Sequence, residues 1–85
     1  MDRPMARNPI AADEEERRAL FNEASTLIQL ELRELPEAPR ASVLIREVSR
    51  LRPGLTRDLV QQVLWSLVET GRVLVDRKFE VRLNL

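Results

Sequence analysis

The chain has 85 residues, enough for one small domain. Fourteen basic and fourteen acidic side chains cancel, so the total charge makes no case for a polyanionic partner. Cys, His and Tyr are all absent, which excludes disulfides and thiolate metal sites and removes the commonest general base and the best nucleophile, so no enzyme, metal or cofactor is expected.

Residues 1–8 carry a proline and no apolar pattern, and they read as a disordered lead-in to a single domain over 9–85. The opening MDRPMARNPI lacks the apolar core of a signal peptide, and no stretch is apolar for long enough to span a bilayer. A cytoplasmic protein with no membrane partner is the expectation. Asn8-Pro9 offers one helix start, a cap followed by proline at the first helical position. Asp13-Glu14-Glu15-Glu16 offers a second, with Asp13 capping and Glu16 reaching back.

The first helix then runs to about Leu35. Leu20, Ala24, Leu27, Ile28 and Leu35 form its inward stripe, with Phe21 beside it. Leu30 and Leu32 flank the stripe on opposite sides. Either they pack on the C-terminal hairpin or stay exposed, or they form the seam of a homodimer. Pro36-Glu37-Ala38-Pro39 forbids continuation of the helix. Part of this connector can run extended beside the hairpin as a short third strand.

A second helix is expected from about Ala41 to Leu51. Leu44, Ile45, Val48 and Leu51 face inward, Arg46, Glu47 and Arg50 face out, and Ser42 is its best cap candidate. Arg52-Pro53-Gly54-Leu55 marks a tight turn. The third helix begins at Thr56, whose hydroxyl can accept from a free amide of the first turn. Asp58 suits the positive end of the helix dipole. Leu59, Val60, Val63, Leu64 and Leu67 share one face, with Val68 at its edge. Gly71 fits the left-handed position that ends helices. The apolar period then changes to two: Val73 and Val75, then Phe79, Val81 and Leu83, with Asp76-Arg77-Lys78 as a hairpin tip.

A short helix, a glycine-containing turn and a second helix make a helix-turn-helix signature. With the segment LIREVSRLRPGLTRDLVQQVLWSLVETGRV and the hairpin LVDRKFEVRL, the chain from about residue 14 onward resembles the winged helix-turn-helix superfamily. The resemblance implies an α+β fold of three helices plus a C-terminal β-hairpin wing. In typical members the third helix enters the major groove of double-stranded DNA and the wing touches the backbone. By position, Thr56, Arg57, Gln61 and Gln62 would then face base edges. Arginine can pair with guanine and glutamine with adenine in bidentate fashion. Arg77, Lys78 and Arg82 on the wing, and Arg46, Arg50 and Arg52 before the third helix, would contact phosphates. A DNA-binding transcriptional regulator is the function so implied.

Charge layout fits this in part. Residues 1–40 hold six basic and nine acidic side chains, and residues 41–85 hold eight and five. The net positive half is thus the one with the helix-turn-helix and wing. Trp65 fits less well. On a helical wheel it falls opposite the Val63–Leu67 stripe, with Asp58, Gln62 and Glu69, and acids there repel phosphate. It either lies against the first helix or the N-terminal segment, or anchors a protein partner, since Trp is enriched at interface hot spots. The alternative function is therefore a protein-interaction module or adaptor using Trp65, Leu30 and Leu32, a use also known in the superfamily.

Overall fold

A computed structural model describes residues 9–85, so the expected lead-in over 1–8 lies outside the described residues. The elements follow in the order α1 (Pro9–Glu34), α2 (Ala41–Leu51), α3 (Arg57–Glu69), β1 (Val73–Val75) and β2 (Val81–Leu83). The fold is α+β, three helices closed by a two-stranded antiparallel hairpin.

The helix α1 is continuous through Asp13, so no second start lies there, and the expected Asn8 cap falls outside the described residues. Its acidic run Glu14-Glu15-Glu16 is exposed, and the inward face begins at Leu20. Ala24 and Ile28 are buried, while Leu20, Phe21 and Leu27 pack against them half-buried. Leu35 departs from expectation: it lies one residue beyond the helix and is 40% exposed. The prolines that follow end the helix before Leu35 can complete another inward turn.

In α2, Ala41, Leu44 and Val48 are buried and Ile45 is half-buried. Leu51 was expected inside, yet it is 43% exposed. It is the last helical residue, and the chain turns away immediately after it. Leu55 fills the interior instead, buried within the turn and donating its N–H to the Arg52 carbonyl at 2.8 Å. Ser42 does not cap α2; it lies inside the helix, and Arg40 occupies the cap position without a side-chain bond. The first free amide of α2, Ala41 N–H, instead donates to the Phe79 carbonyl of the hairpin at 2.8 Å. A tertiary contact thus satisfies a group that a local side chain would ordinarily satisfy.

The third helix behaves as its sequence indicates. Thr56 Oγ1 accepts from Leu59 N–H at 3.2 Å, and Val60, Val63, Leu64 and Leu67 are buried. Its end is a full Schellman arrangement: Arg72 N–H donates to Leu67 O at 2.9 Å and Gly71 N–H to Val68 O at 3.1 Å. Gly71 has φ +80°, a conformation any Cβ would penalise. The helix therefore stops and delivers the chain into β1 within two residues.

The hairpin pairs Val73 with Leu83, Leu74 with Arg82 and Val75 with Val81. Val73 and Val81 are fully buried against the helices, and Val75 and Leu83 half-buried. At its base, Asn84 N–H donates to Arg72 O at 3.0 Å and Asn84 Nδ2 to Gly71 O at 2.8 Å. The connector before α2 lies along the free edge of β2, as an extended segment can. Val81 N–H donates to Pro39 O at 2.8 Å, and Arg40 bridges Glu80 in antiparallel sense.

Candidate functional site

The tip of the hairpin is set by Asp76. Its Oδ1 accepts from Lys78 N–H at 2.8 Å and from Glu80 N–H at 3.0 Å. Phe79 N–H donates to Asp76 O at 3.0 Å and Asp76 N–H to Glu80 O at 3.1 Å. This is a three-residue loop with a turn followed by a left-handed residue, the position glycine usually fills. Here Phe79 fills it, at φ +61°, the only non-glycine described residue with positive φ. The expected inward alternation of Phe79 with Val81 and Leu83 therefore fails. The left-handed step reverses the strand pleat, and Phe79 is 63% exposed. The Glu80 amide, and more weakly that of Lys78, holds the Asp76 carboxyl below its ordinary value of 3.8. The side-chain hydrogen bond from Arg50 does the same for Glu47, and Glu47 in turn raises Arg50.

Between the hairpin tip, the start of α2 and the outer face of α3 lies an open cleft of about 390 Å³. Arg40, Ala41, Ser42, Ile45, Gln61, Trp65, Lys78 and Phe79 line it. Trp65 is half-buried on the hairpin side of α3, where Ile45 and Phe79 share its cleft. The neighbouring depression along α3 is lined by Asp58, Gln61, Gln62 and Trp65. A third, beside the turn between α2 and α3, brings together Arg46, Arg50, Thr56 and Arg57.

Several residues singled out from the sequence therefore meet. Gln61 lies in a common cleft with Lys78, and Thr56 and Arg57 with Arg46 and Arg50. Gln62 adjoins Gln61 through the second depression. Others are drawn elsewhere. Arg50 is bound to Glu47 (Nη2 to Oε1, 2.5 Å), and Arg52 is paired with Glu23 of α1. Arg82 is exposed on β2 opposite Leu74, the strand position whose side chains point away from the buried Val81 face. Arg77 is exposed at the tip. Among the described residues, no ion pair holds Arg46, Arg57, Arg77, Lys78 or Arg82.

Leu30 and Leu32 separate. Leu32 is half-buried against the core, whereas Leu30 is 43% exposed in a shallow depression with Thr26, Gln29 and Arg33. Among the described residues no acidic or sulfur cluster is built to hold a metal, and no helix is long and apolar enough to cross a membrane.

Five residues of the cleft were not singled out from the sequence as site residues: Arg40, Ala41, Ser42, Ile45 and Phe79. Asp76-Arg77-Lys78 marks the tip in the sequence, but that Phe79 takes the left-handed position usually filled by glycine is visible only in the fold. Comparison with protein-family models, with curated proteins and with solved structures finds no match to this chain.

Proposed function

We propose that this domain is a winged helix-turn-helix module that binds double-stranded DNA, with α3 in the major groove and the hairpin as the wing on the flanking backbone. The observation that carries the reading is the outer edge of α3. Arg57 and Gln61 are exposed one turn apart with Gln62 exposed beside Gln61, side chains that read base edges in bidentate fashion. Cations without an ion pair among the described residues stand on either side, Arg46 before the helix and Lys78 on the wing. Arg77 extends the wing's charge, and Arg82 reaches phosphate only where DNA bends round the hairpin's outer face. The ion pairs of Arg50 and Arg52 leave them a lesser part. A role in transcription regulation follows from this binding mode.

Anisotropy of labelled duplexes at low salt tests the reading. Binding should weaken steeply as salt rises, because each neutralised phosphate releases counterions. Arg57→Ala should lose about 1–3 kcal/mol of discrimination at one base position, whereas Lys78→Ala should weaken all sequences alike. Absence of binding to any duplex at low salt and high protein concentration would sink the proposal.

A protein partner is the second reading, favoured by half-buried Trp65 and exposed Phe79 in one cleft. Acidic Asp58 beside Gln62 also favours it. On that reading Trp65→Ala abolishes capture of the partner while the domain stays folded. Exposed Leu30 is the residue left to support a homodimer seam, and sedimentation of Leu30→Glu against the unaltered chain tests it.

A further inference from the structure

We propose that the cleft between α3 and the wing tip holds one unstacked nucleobase of a single strand, with Trp65 and Phe79 as its aromatic walls. The inference rests on the DNA reading above and names what the wing side of that site takes. Four observations carry it. Two aromatic side chains line one cleft in a chain that has only three aromatic residues. The cations Arg40 and Lys78 line the same cleft, and no carboxylate does. Gln61 and Ser42 supply hydrogen-bonding groups to a base edge. The volume, about 390 Å³, lies within the range of small-ligand clefts, about 300–1,000 Å³.

The charge pattern decides the occupant. A partly apolar cleft whose charged lining residues are all cations is complementary to a ligand that joins a flat apolar face to an anion. A nucleotide is such a ligand: its base stacks on aromatic rings and its phosphate meets Lys or Arg. Asp58 of α3 lines the neighbouring depression and not this one. The backbone adds a further point. The Phe79 carbonyl caps α2, but glycine would do this equally well and without strain. The benzyl group contributes little to the core, being mostly exposed. An aromatic ring at a strained, solvent-facing position suits a stacking wall. An unpaired base at a duplex end or junction, adjoining a groove occupied by α3, would lie within reach of the wing.

Trp65 is the sole tryptophan, so its emission reports on this cleft and on the adjoining depression along α3, and the duplex titration separates the two. The full chain is titrated with an oligothymidylate of about eight nucleotides, within single-strand site sizes. Parallel titrations use an abasic strand of equal length, an acidic peptide of equal charge and a blunt duplex. Oligothymidylate should quench Trp65, and neither the abasic strand nor the peptide should do so. Phe79→Gly should keep the fold and duplex binding but lose about tenfold in oligothymidylate affinity, the scale of one lost base stack.

Equal quenching by the abasic strand overturns the inference in favour of phosphate binding alone, and equal quenching by the peptide overturns it in favour of a protein partner. Unchanged oligothymidylate affinity in Phe79→Gly overturns it too. Duplex binding without oligothymidylate quenching removes the cleft proposal and leaves the groove reading intact. Oligothymidylate quenching without duplex binding supports the cleft and removes the groove reading.

Discussion

At the base of the hairpin Gly71 takes the left-handed conformation; at its tip Phe79 takes it. The base is closed by Asn84 bonding to Gly71 and Arg72, and its next residue, Val73, is fully buried. The tip is held by backbone bonds to Asp76 and to Ala41, but its largest side chain faces solvent. The residue type suits the conformation at the base and opposes it at the tip. Strain that persists where the surroundings fix the backbone is a reason to look for function there, and not at the base.

The largest effect should come from the base. Val73→Ala removes two methyl groups from a fully buried site, and the loss of transfer energy with the cavity left behind should cost roughly 2–3 kcal/mol. Thermal melting by circular dichroism reads this directly, and a variant melting like the unaltered chain would show that the hairpin is not part of the cooperative core. Gly71→Ala comes next. No atom lies within 4 Å of the added Cβ, so the penalty is conformational alone, about 1–2 kcal/mol. A neutral result would mean that the Schellman turn relaxes without loss.

The tip should respond with the opposite sign. Phe79→Gly relieves about 1–2 kcal/mol of left-handed strain and gives back part of it as chain entropy. The net gain should be up to about 1 kcal/mol, a rise in melting temperature of up to roughly 8 °C for a domain of this size. A fall in stability would show that the exposed ring makes packing contacts that outweigh its strain. Gly71→Ala and Phe79→Gly are thus mirror tests of one conformation, and together they separate a position shaped for folding from one that folding alone does not explain.

Much of this arrangement was legible in the sequence, for reasons that differ along the chain. The third helix was readable because Thr56, the Val60–Leu67 stripe and Gly71 are local signals that agree with one another. The hairpin strands were readable from alternation at Val73, Val75, Val81 and Leu83. The connector's extended path beside the hairpin was readable from its prolines. What escaped was set by contacts distant in sequence. The cap of α2 comes from Phe79 and not from Ser42, so no local pattern announces it. Leu55 reads as a turn residue yet completes the core, while Leu35 and Leu51 keep the helical period but sit at helix ends where nothing covers them. The candidate site was readable along α3, where exposure follows from the helical face. It was not readable at Arg40, Ile45 and Phe79, which join Trp65 only through the fold.

The smallest effect concerns pH and the side chain that shapes the tip. The amides of Glu80 and, less strongly, Lys78 favour the charged form of Asp76, so its folded-state pKa lies below the ordinary 3.8. A depressed carboxyl contributes stability that is complete above its unfolded-state value and is lost as pH falls through the folded-state value. The tip should therefore be indifferent to pH near neutrality and loosen only in acid. Glu47 is lowered too, by Arg50, so a global melt mixes both groups in one acidic window. Hydrogen-exchange protection at the Lys78 and Glu80 amides isolates the tip. In the unaltered chain, protection at these amides should fall between about pH 5 and pH 2. In Asp76→Asn it should start lower and stay level, because asparagine accepts from the same amides without titrating. Level protection in the unaltered chain would show that the carboxylate charge does not hold the turn, and that backbone bonds, from Phe79 N–H to Asp76 O and from Ala41 N–H to Phe79 O, fix the strained residue without it.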